Sequence, residues 1–214
     1  MEGWSWPLRG IRLRTAELDL QVMTEADLPT LWELLPDDVG MNPHATTYAG
    51  LDVRANRRAI LAQGYWRALG LWSPDDWALP FVVRSGGAVL GAQWLEGPDW
   101  RADHTVDSSS WLVASARGRG LGQQMRTAVL ALAFGPLHAA AAISSAVVGN
   151  APSLGVSRAL GYRETHRSVL EHSGETLQHV RLAREAWAAS DVARGVVMDG
   201  VAPALPLFGI EGAP

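Results

Sequence analysis

Arg117-Gly118-Arg119-Gly120-Leu121-Gly122 is the stretch on which the fold turns. It follows a strand-like run, Val106 to Val113, and opens a helix-like run, Gln123 to Phe134. A strand that feeds a glycine turn at a helix N-terminus aims several backbone N–H groups at one point. Glycine at 118, 120 and 122 lets a ligand approach that backbone without meeting a Cβ. The surrounding charge has the same sense. From Ser108 to Arg163 there is no Asp or Glu, yet the span holds Arg117, Arg119, Arg126, Arg158 and Arg163. The chain has 18 basic and 22 acidic residues, so outside this span 13 arginines face 22 acids. An arginine-only island in an acidic chain is an anion site, and the ligand that suits it carries phosphates.

Three phosphate loops compete for this pattern. A Walker loop needs a lysine and a hydroxyl after its last glycine. The chain contains no lysine at all, which excludes a P-loop NTPase. A dinucleotide fingerprint needs G-x-G-x-x-G and an acid about 20 residues later for the ribose. Here the third glycine comes one residue early and no acid appears before Glu164. What remains is R-x-x-G-x-G, passing from a strand into a helix.

Outward from the loop, hydrophobic periodicity sets the element order. Ile11 to Val22 alternates and reads as a first strand. Thr24-Glu25-Ala26-Asp27 has the form of a capping box, with Leu28, Leu31, Trp32 and Leu35 behind it and Pro36 as the stop. Asp37 to Gly50 reads as a loop and Asp52 to Leu71 as a helix. Three strands follow, Trp77 to Arg84, Ala88 to Leu95 and Thr105 to Val113, the first two joined at Ser85-Gly86-Gly87. Past the loop and its helix, Ala141 to Val148 reads as a buried strand and Pro152 to Leu160 as a short helix closed by Gly161. A hairpin, Thr165 to His172 and Glu175 to Leu182, a helical turn near Ala183 to Ala189 and a Pro/Gly-rich tail complete the chain. The order predicts an α/β (α+β) domain over residues 1–189, with a mixed sheet of about seven strands flanked by helices. A tail, 190–214, packs on that domain or on a neighbouring subunit.

Composition narrows the function. The 214 residues suffice for one large domain. No apolar run approaches the ~20 residues of a membrane span, and Met1 to Pro7 lacks the features of a signal peptide, so a cytoplasmic protein is expected. Absence of cysteine removes disulfides, thiolate metal sites and a cysteine nucleophile. The six histidines show no metal spacing, so no metal is expected. A pI near 5.8 argues against nonspecific nucleic-acid binding.

The loop resembles the pyrophosphate loop of the GNAT superfamily of acyl-CoA-dependent N-acyltransferases. About thirty residues later, Asn150-Ala151-Pro152-Ser153-Leu154-Gly155-Val156-Ser157-Arg158-Ala159-Leu160-Gly161-Tyr162 is similar to the second signature of that superfamily, N-x-x-S-x-x-V-x-x-x-L-G-[FY]. Its Ser and Val positions resemble the branch of ribosomal-protein N-terminal acetyltransferases. Asp75 to Pro80, Val106 to Leu112, Met125 to Leu130 and Leu205 to Gly209 resemble an actinobacterial subgroup with succinyl-CoA-using members. The resemblance covers roughly residues 11 to 187.

It implies the following site. The pyrophosphate rests on the N–H groups of Arg117, Gly118, Arg119, Gly120, Leu121, Gly122 and the start of the helix at Gln123, with the arginines adding charge. The pantetheine arm lies between two splayed parallel strands, 105–113 and 141–148, and bonds the backbone of Leu112 and Val113. Asn150 bonds the pantetheine or caps the next helix. Ser153 is the candidate proton donor to the leaving thiolate. Many relatives use a tyrosine seven residues after the Asn, which is Ser157 here, so Ser153, Ser157 and a water all stay open. Asp107, the last acid before the arginine-only stretch, is the candidate base, with Glu96 and His104 as alternatives. Arg67, Arg84 and Arg101 are candidates for the free carboxylate of a succinyl donor. The ten tryptophans read as core and as an aromatic wall around the acceptor.

The expected activity is transfer of an acyl group from acetyl-CoA, or succinyl-CoA, to a primary amine on a small molecule or protein, by direct attack in a ternary complex. No nucleic-acid or membrane partner is expected, and a homodimer or higher homo-oligomer is. The alternatives are a catalytically silent GNAT-fold protein that binds or senses CoA, and an unrelated phosphate-binding protein.

Overall fold

Buried apolar residues at every second position build the first two strands, β1 (Arg12–Arg14) and β2 (Asp19–Val22). They are described in a computed structural model that covers residues 5–42, 45–171, 173–190 and 195–211. The single strand expected from Ile11 to Val22 is a hairpin. Thr15 closes it, donating its N–H to Leu18 O at 2.9 Å and accepting the Leu18 N–H on Oγ1 at 3.1 Å. The physical sign lies in the phase of the buried residues. Ile11 and Leu13 are buried at odd positions, whereas Leu18, Leu20 and Val22 are buried at even ones, a change no continuous strand allows.

Thr24 and Asp27 form the expected capping box, with the Thr24 N–H 2.8 Å from Asp27 Oδ2. Behind it α1 (Leu28–Leu34) buries Leu28 and Leu31. Next, α2 (Val53–Gly70) is capped by Asp52, whose carboxylate accepts the Ala55 N–H at 2.7 Å. β3 (Trp77–Ser85) and β4 (Ala88–Gly97) meet at Gly86 and Gly87, whose φ values of 55° and 83° a two-residue hairpin turn demands. α3 (Trp100–Asp103), too short to show a period, precedes β5 (Thr105–Leu112). Then come α4 (Leu121–Phe134), β6 (Ala141–Val147), α5 (Ala151–Ala159), β7 (Arg163–Val169), β8 (Thr176–Ala183), α6 (Arg184–Ala188) and β9 (Val197–Asp199). His172 at the expected end of the first strand of the last hairpin, Pro43 and His44 in the loop, Asp191 to Arg194 and residues 212–214 in the tail, and Met1 to Trp4 lie outside the described residues.

The sheet runs β7-β8-β6-β5-β4-β3-β2-β1-β9. Nine strands replace the expected seven because the first divides in two and the tail adds β9, which pairs antiparallel with β1. Every neighbouring pair is antiparallel except β5 and β6, joined in parallel through α4 as a crossover requires. α4 packs on one face, buried without interruption from Met125 to Phe134. On the other face, α1 and α2 cover Val82, Ala92 and Trp111. Beyond β9, Phe208 of the 3-10 turn Ala202–Phe208 is buried edge-on against Trp72 and Trp77, with centroids 5.1 and 4.9 Å apart.

Candidate active site

Parallel pairing of β5 and β6 spans only Thr105 to Asp107 against Ala141 to Ile143. Beyond that point the two strands part, and a cleft opens toward the glycine loop. Strand alternation turns the N–H and C=O groups of Ser108, Ser110 and Leu112 toward the gap. The other residues face β4, as the Val113 N–H on Leu90 O at 2.8 Å shows. Of the two residues expected to offer backbone bonds, Leu112 therefore faces the gap and Val113 does not. Ser110 was not foreseen. Alternation from a known partner identifies it, but sequence alone gives no partner.

The cleft leads to the N-terminus of α4. Gly118 and Gly120 have φ of 72° and 78°, and a Cβ built on either would meet nothing within 4 Å. Those angles strain any other residue type, and the open space lets a ligand reach the backbone. Among the described residues, the amides of residues 118–120 donate no hydrogen bond. The amides of Leu121 and Gly122, in the first turn of α4, have no intrahelical acceptor. Gln123 donates to Gly120 O at 3.1 Å, so its amide belongs to the helix. Arg119 projects from the turn, exposed.

Arg117 departs from expectation. Its N–H goes to Ala114 O at 3.2 Å. Its guanidinium donates to Leu112 O at 2.9 Å and pairs bidentately with Asp38, at 2.5 and 2.8 Å. The pair raises the Arg117 pKa and lowers that of Asp38, the side-chain hydrogen bond being the largest cause of each. The loop thus carries a carboxylate neighbour after all, brought from 79 residues away by the segment following α1.

On the far side of the cleft, Asn150 caps α5, accepting the Ser153 N–H at 3.2 Å on Oδ1 and leaving its amide NH2 group toward solvent. The Ser153 hydroxyl has no partner among the described residues. Ser157 points inward instead. It is 2% exposed, donates to Ser153 O at 3.3 Å and accepts from Arg126 Nη1 at 3.3 Å. Arg126 also donates to Ser144 Oγ at 3.3 Å, and Ser144 donates to Ser108 O at 3.2 Å. This buried chain ties β5 to β6 where backbone pairing has stopped. Tyr162 stands beside it with its hydroxyl buried, and burial pushes its pKa up to about 12.

A cavity of about 520 Å³ lies across β5 from this network. Its floor is one face of β3, β4 and β5, including Ala78, Trp94, Glu96, Ser109 and Trp111, and α2 forms a wall with Ile60, Gly64 and Arg67. Glu96 and Asp107 are direct cross-strand partners, so their carboxyl groups share a face of the sheet. Glu96 reaches the cavity wall, whereas Asp107 does not line it. Burial, with Asp107 and Asp76 nearby, pushes the Glu96 pKa up to about 7. Asp107 is also raised by burial, offset by the Ser108 N–H at 2.6 Å and by the charge of Arg126. His104 packs edge-to-face with Trp100 and lies outside the cavity lining. Of the three arginines singled out, Arg84 pairs with Asp27 and Arg101 with Asp75, while Arg67 lines the cavity. Trp94 and Trp111 line it too, the rings of Trp72, Trp77 and Trp100 join the Phe208 cluster on the other face of the sheet, and Trp66 is half exposed.

No group of three or more metal-ligating side chains occurs among the described residues, and no helix there is long and apolar enough to cross a membrane. The family model described as an acetyltransferase (GNAT) domain matches residues 17–163. Among solved structures, RimJ of Mycobacterium smegmatis, in complex with CoA-disulfide, superposes with a TM-score of 0.70 at 16% identity, covering 87% of this chain and 93% of that one. A chimera of the spermidine N-acetyltransferase SpeG from Vibrio cholerae and hSSAT superposes with a TM-score of 0.63 at 13% identity, covering 82% and 100%. The manganese complex of the spermidine/spermine N-acetyltransferase SpeG from Vibrio cholerae gives 0.60 at 13% identity, covering 81% and 96%. At such identities these likenesses concern the fold.

Proposed function

The chain belongs to the GNAT acetyltransferase family, and on that premise we propose that it moves an acyl group from acyl-CoA to a primary amine by direct attack within a ternary complex. One observation carries this reading: a strand pair that stops pairing after Asp107 opens onto a glycine turn whose amides have no partner, beside a cavity holding a carboxyl group raised to about 7. The parts suit coenzyme A. The amides of residues 118–122, with Arg119, offer donors and positive charge to a diphosphate. The edge of β5 at Ser110 and Leu112 offers the pairing that an amide-bearing arm accepts, and Asn150, at the start of α5, has an NH2 group left to donate.

Glu96 takes the role of base. A nucleophilic amine must be neutral, and a carboxylate with a pKa near the working pH removes its proton most effectively. Asp107 acts behind Glu96, its negative charge holding the Glu96 proton affinity high. A backbone N–H on the gap side of β5 stabilises developing charge on the acyl oxygen. Ser153, with its hydroxyl uncommitted, protonates the departing thiolate, a part denied to Ser157, which is buried and donates its proton to Ser153 O. Acetyl-CoA is the default donor. Arg67 on the cavity wall favours a second reading, a donor with a free carboxylate such as succinyl-CoA, since Arg84 and Arg101 already have partners. Residues 1–189 form the acyltransferase domain, with the tail packed on it.

Incubation with acetyl-CoA or succinyl-CoA and a panel of amines, read by thiol release and by mass spectrometry of the products, tests this reading. Stoichiometric thiol and amide are expected. CoA binding with no amide from any acceptor would identify a silent CoA-binding protein instead.

A further inference from the structure

We propose that the cavity on the α2 side of the sheet selects a small monoamine with a bulky apolar body, such as an aromatic ring, over polyamines and peptide N-termini. This rests on the acyltransferase reading above and adds the class of acceptor. At about 520 Å³ the cavity falls within the range of sites for small molecules. Its walls are mostly hydrocarbon. Trp94 and Trp111 present aromatic surface from two neighbouring strands, and Leu35, Ile60 and Leu71 add aliphatic surface from α2 and from the ends of the two helices. Rings of this kind stack on a planar ligand and bury its apolar area.

The acidic groups form a single cluster. Glu96 feels both Asp107 and Asp76, and among the described residues the only other charged side chain on the lining is the cation Arg67. One ammonium group therefore finds one place to bind. A second ammonium along a linear polyamine meets hydrocarbon or Arg67, where desolvation and like charge both oppose it. A peptide backbone needs partners for its repeated N–H and C=O groups. Apart from the charged groups, the described residues of the lining offer few polar side chains, chiefly Asn42 and Ser109. α2 lines the cavity with glycine at 64, where a Cβ would stand in ordinary contact, 3.8 Å from the Trp94 ring edge, so a longer side chain there would project into the cavity.

Two measurements separate this inference from the reading beneath it. Binding of tryptamine, 2-phenylethylamine, spermidine and a free tetrapeptide is followed without CoA, by calorimetry and tryptophan fluorescence. Rates with acetyl-CoA follow in parallel. The two aromatic amines are expected to bind and react about 50-fold better than spermidine or the peptide, as burial of one ring predicts. Gly64→Leu, which fills the cavity from α2, should weaken aromatic-amine binding about tenfold or more with CoA affinity unchanged. Trp94→Ala should also weaken it, by removing the stacking surface. Preference for spermidine or the peptide, or aromatic-amine binding indifferent to both variants, overturns the inference. Failure of CoA to bind while tryptamine binds as expected would sink the acyltransferase reading and leave the cavity's selectivity standing.

Discussion

The two sides of the cleft are built from different materials. The donor side is backbone: a positive-φ glycine turn, the first turn of α4 and the unpaired edge of β5. The acceptor side is side chain: tryptophans and carboxyl groups gathered from β4, β5 and Asp76 ahead of β3, with α2 as a wall. The charge divides at the same place. Asp107, the last acid before the arginine-only span, is the last residue of β5 paired with β6. Ahead of it the chain contributes Asp76, Glu96 and Asp107, and beyond it arginines and amides. A ligand bearing phosphates and one bearing an ammonium group are thus drawn to opposite sides of one strand. Backbone sites tolerate side-chain substitution but not loss of backbone freedom, and side-chain sites do the reverse.

The largest effect expected from breaking this division falls on the acceptor side. Glu96→Gln should lower kcat by about 1000-fold, the scale of a lost general base, and leave the affinity for CoA unchanged. In the native protein, kcat/KM should rise as pH increases through about 7, when Glu96 gives up its proton. Stability should move the opposite way. The folded state holds this proton up to about pH 7 and the unfolded chain only to about 4.5, so stability falls as pH rises between them. Glu96→Gln should flatten that slope in thermal melts. A variant with native kcat and an unchanged pH profile would remove Glu96 as base.

Gly120→Val attacks the other side. A β-branched residue at φ 78° must shift the turn. Loss of two charge-assisted amide bonds should weaken CoA binding about 100-fold in calorimetry, with aromatic-amine binding intact. Asp107→Asn is milder, lowering kcat about tenfold. Without that neighbouring charge the Glu96 pKa falls, and the acid limb of the pH–rate profile should move to lower pH. A fixed limb would mean that Asp107 does not act on Glu96. Asp38→Ala, which releases Arg117 for a phosphate, should tighten CoA binding only a few-fold, because exposed ion pairs are worth under about 1 kcal/mol. The gain should vanish at high salt. A loss of affinity there would make Asp38 a support for the turn and not a competitor.

The glycine turn proposed as the donor side was largely legible as local structure, because its pattern lies within a few residues of the chain. Gly118, Gly120 and Gly122 stand together in the chain, and the fold needs only a strand before them and a helix after. Val113 was assigned to the gap because pattern reveals which residues form a strand but not which edge each amide faces. Asp38 was missed as the partner of Arg117 because 79 residues separate them. The acceptor side resisted for the same reason. Glu96 was noted only as an alternative to Asp107, since the register that pairs them and the cavity that reaches one of them arise from packing β4 and α2 around β5. Ser157 stayed open as a proton donor because nothing in the sequence shows that Arg126, on α4, holds it in the interior. The split of the first strand, by contrast, was written in the phase change between Leu13 and Leu18, and β9 was hidden by its three-residue length.

Crystallisation with coenzyme A tests the central claim most directly. The diphosphate is expected within hydrogen-bonding distance of the amides of residues 118–122, with the pantetheine arm along the gap side of β5. Density for the cofactor at any other place on the molecule would contradict the account.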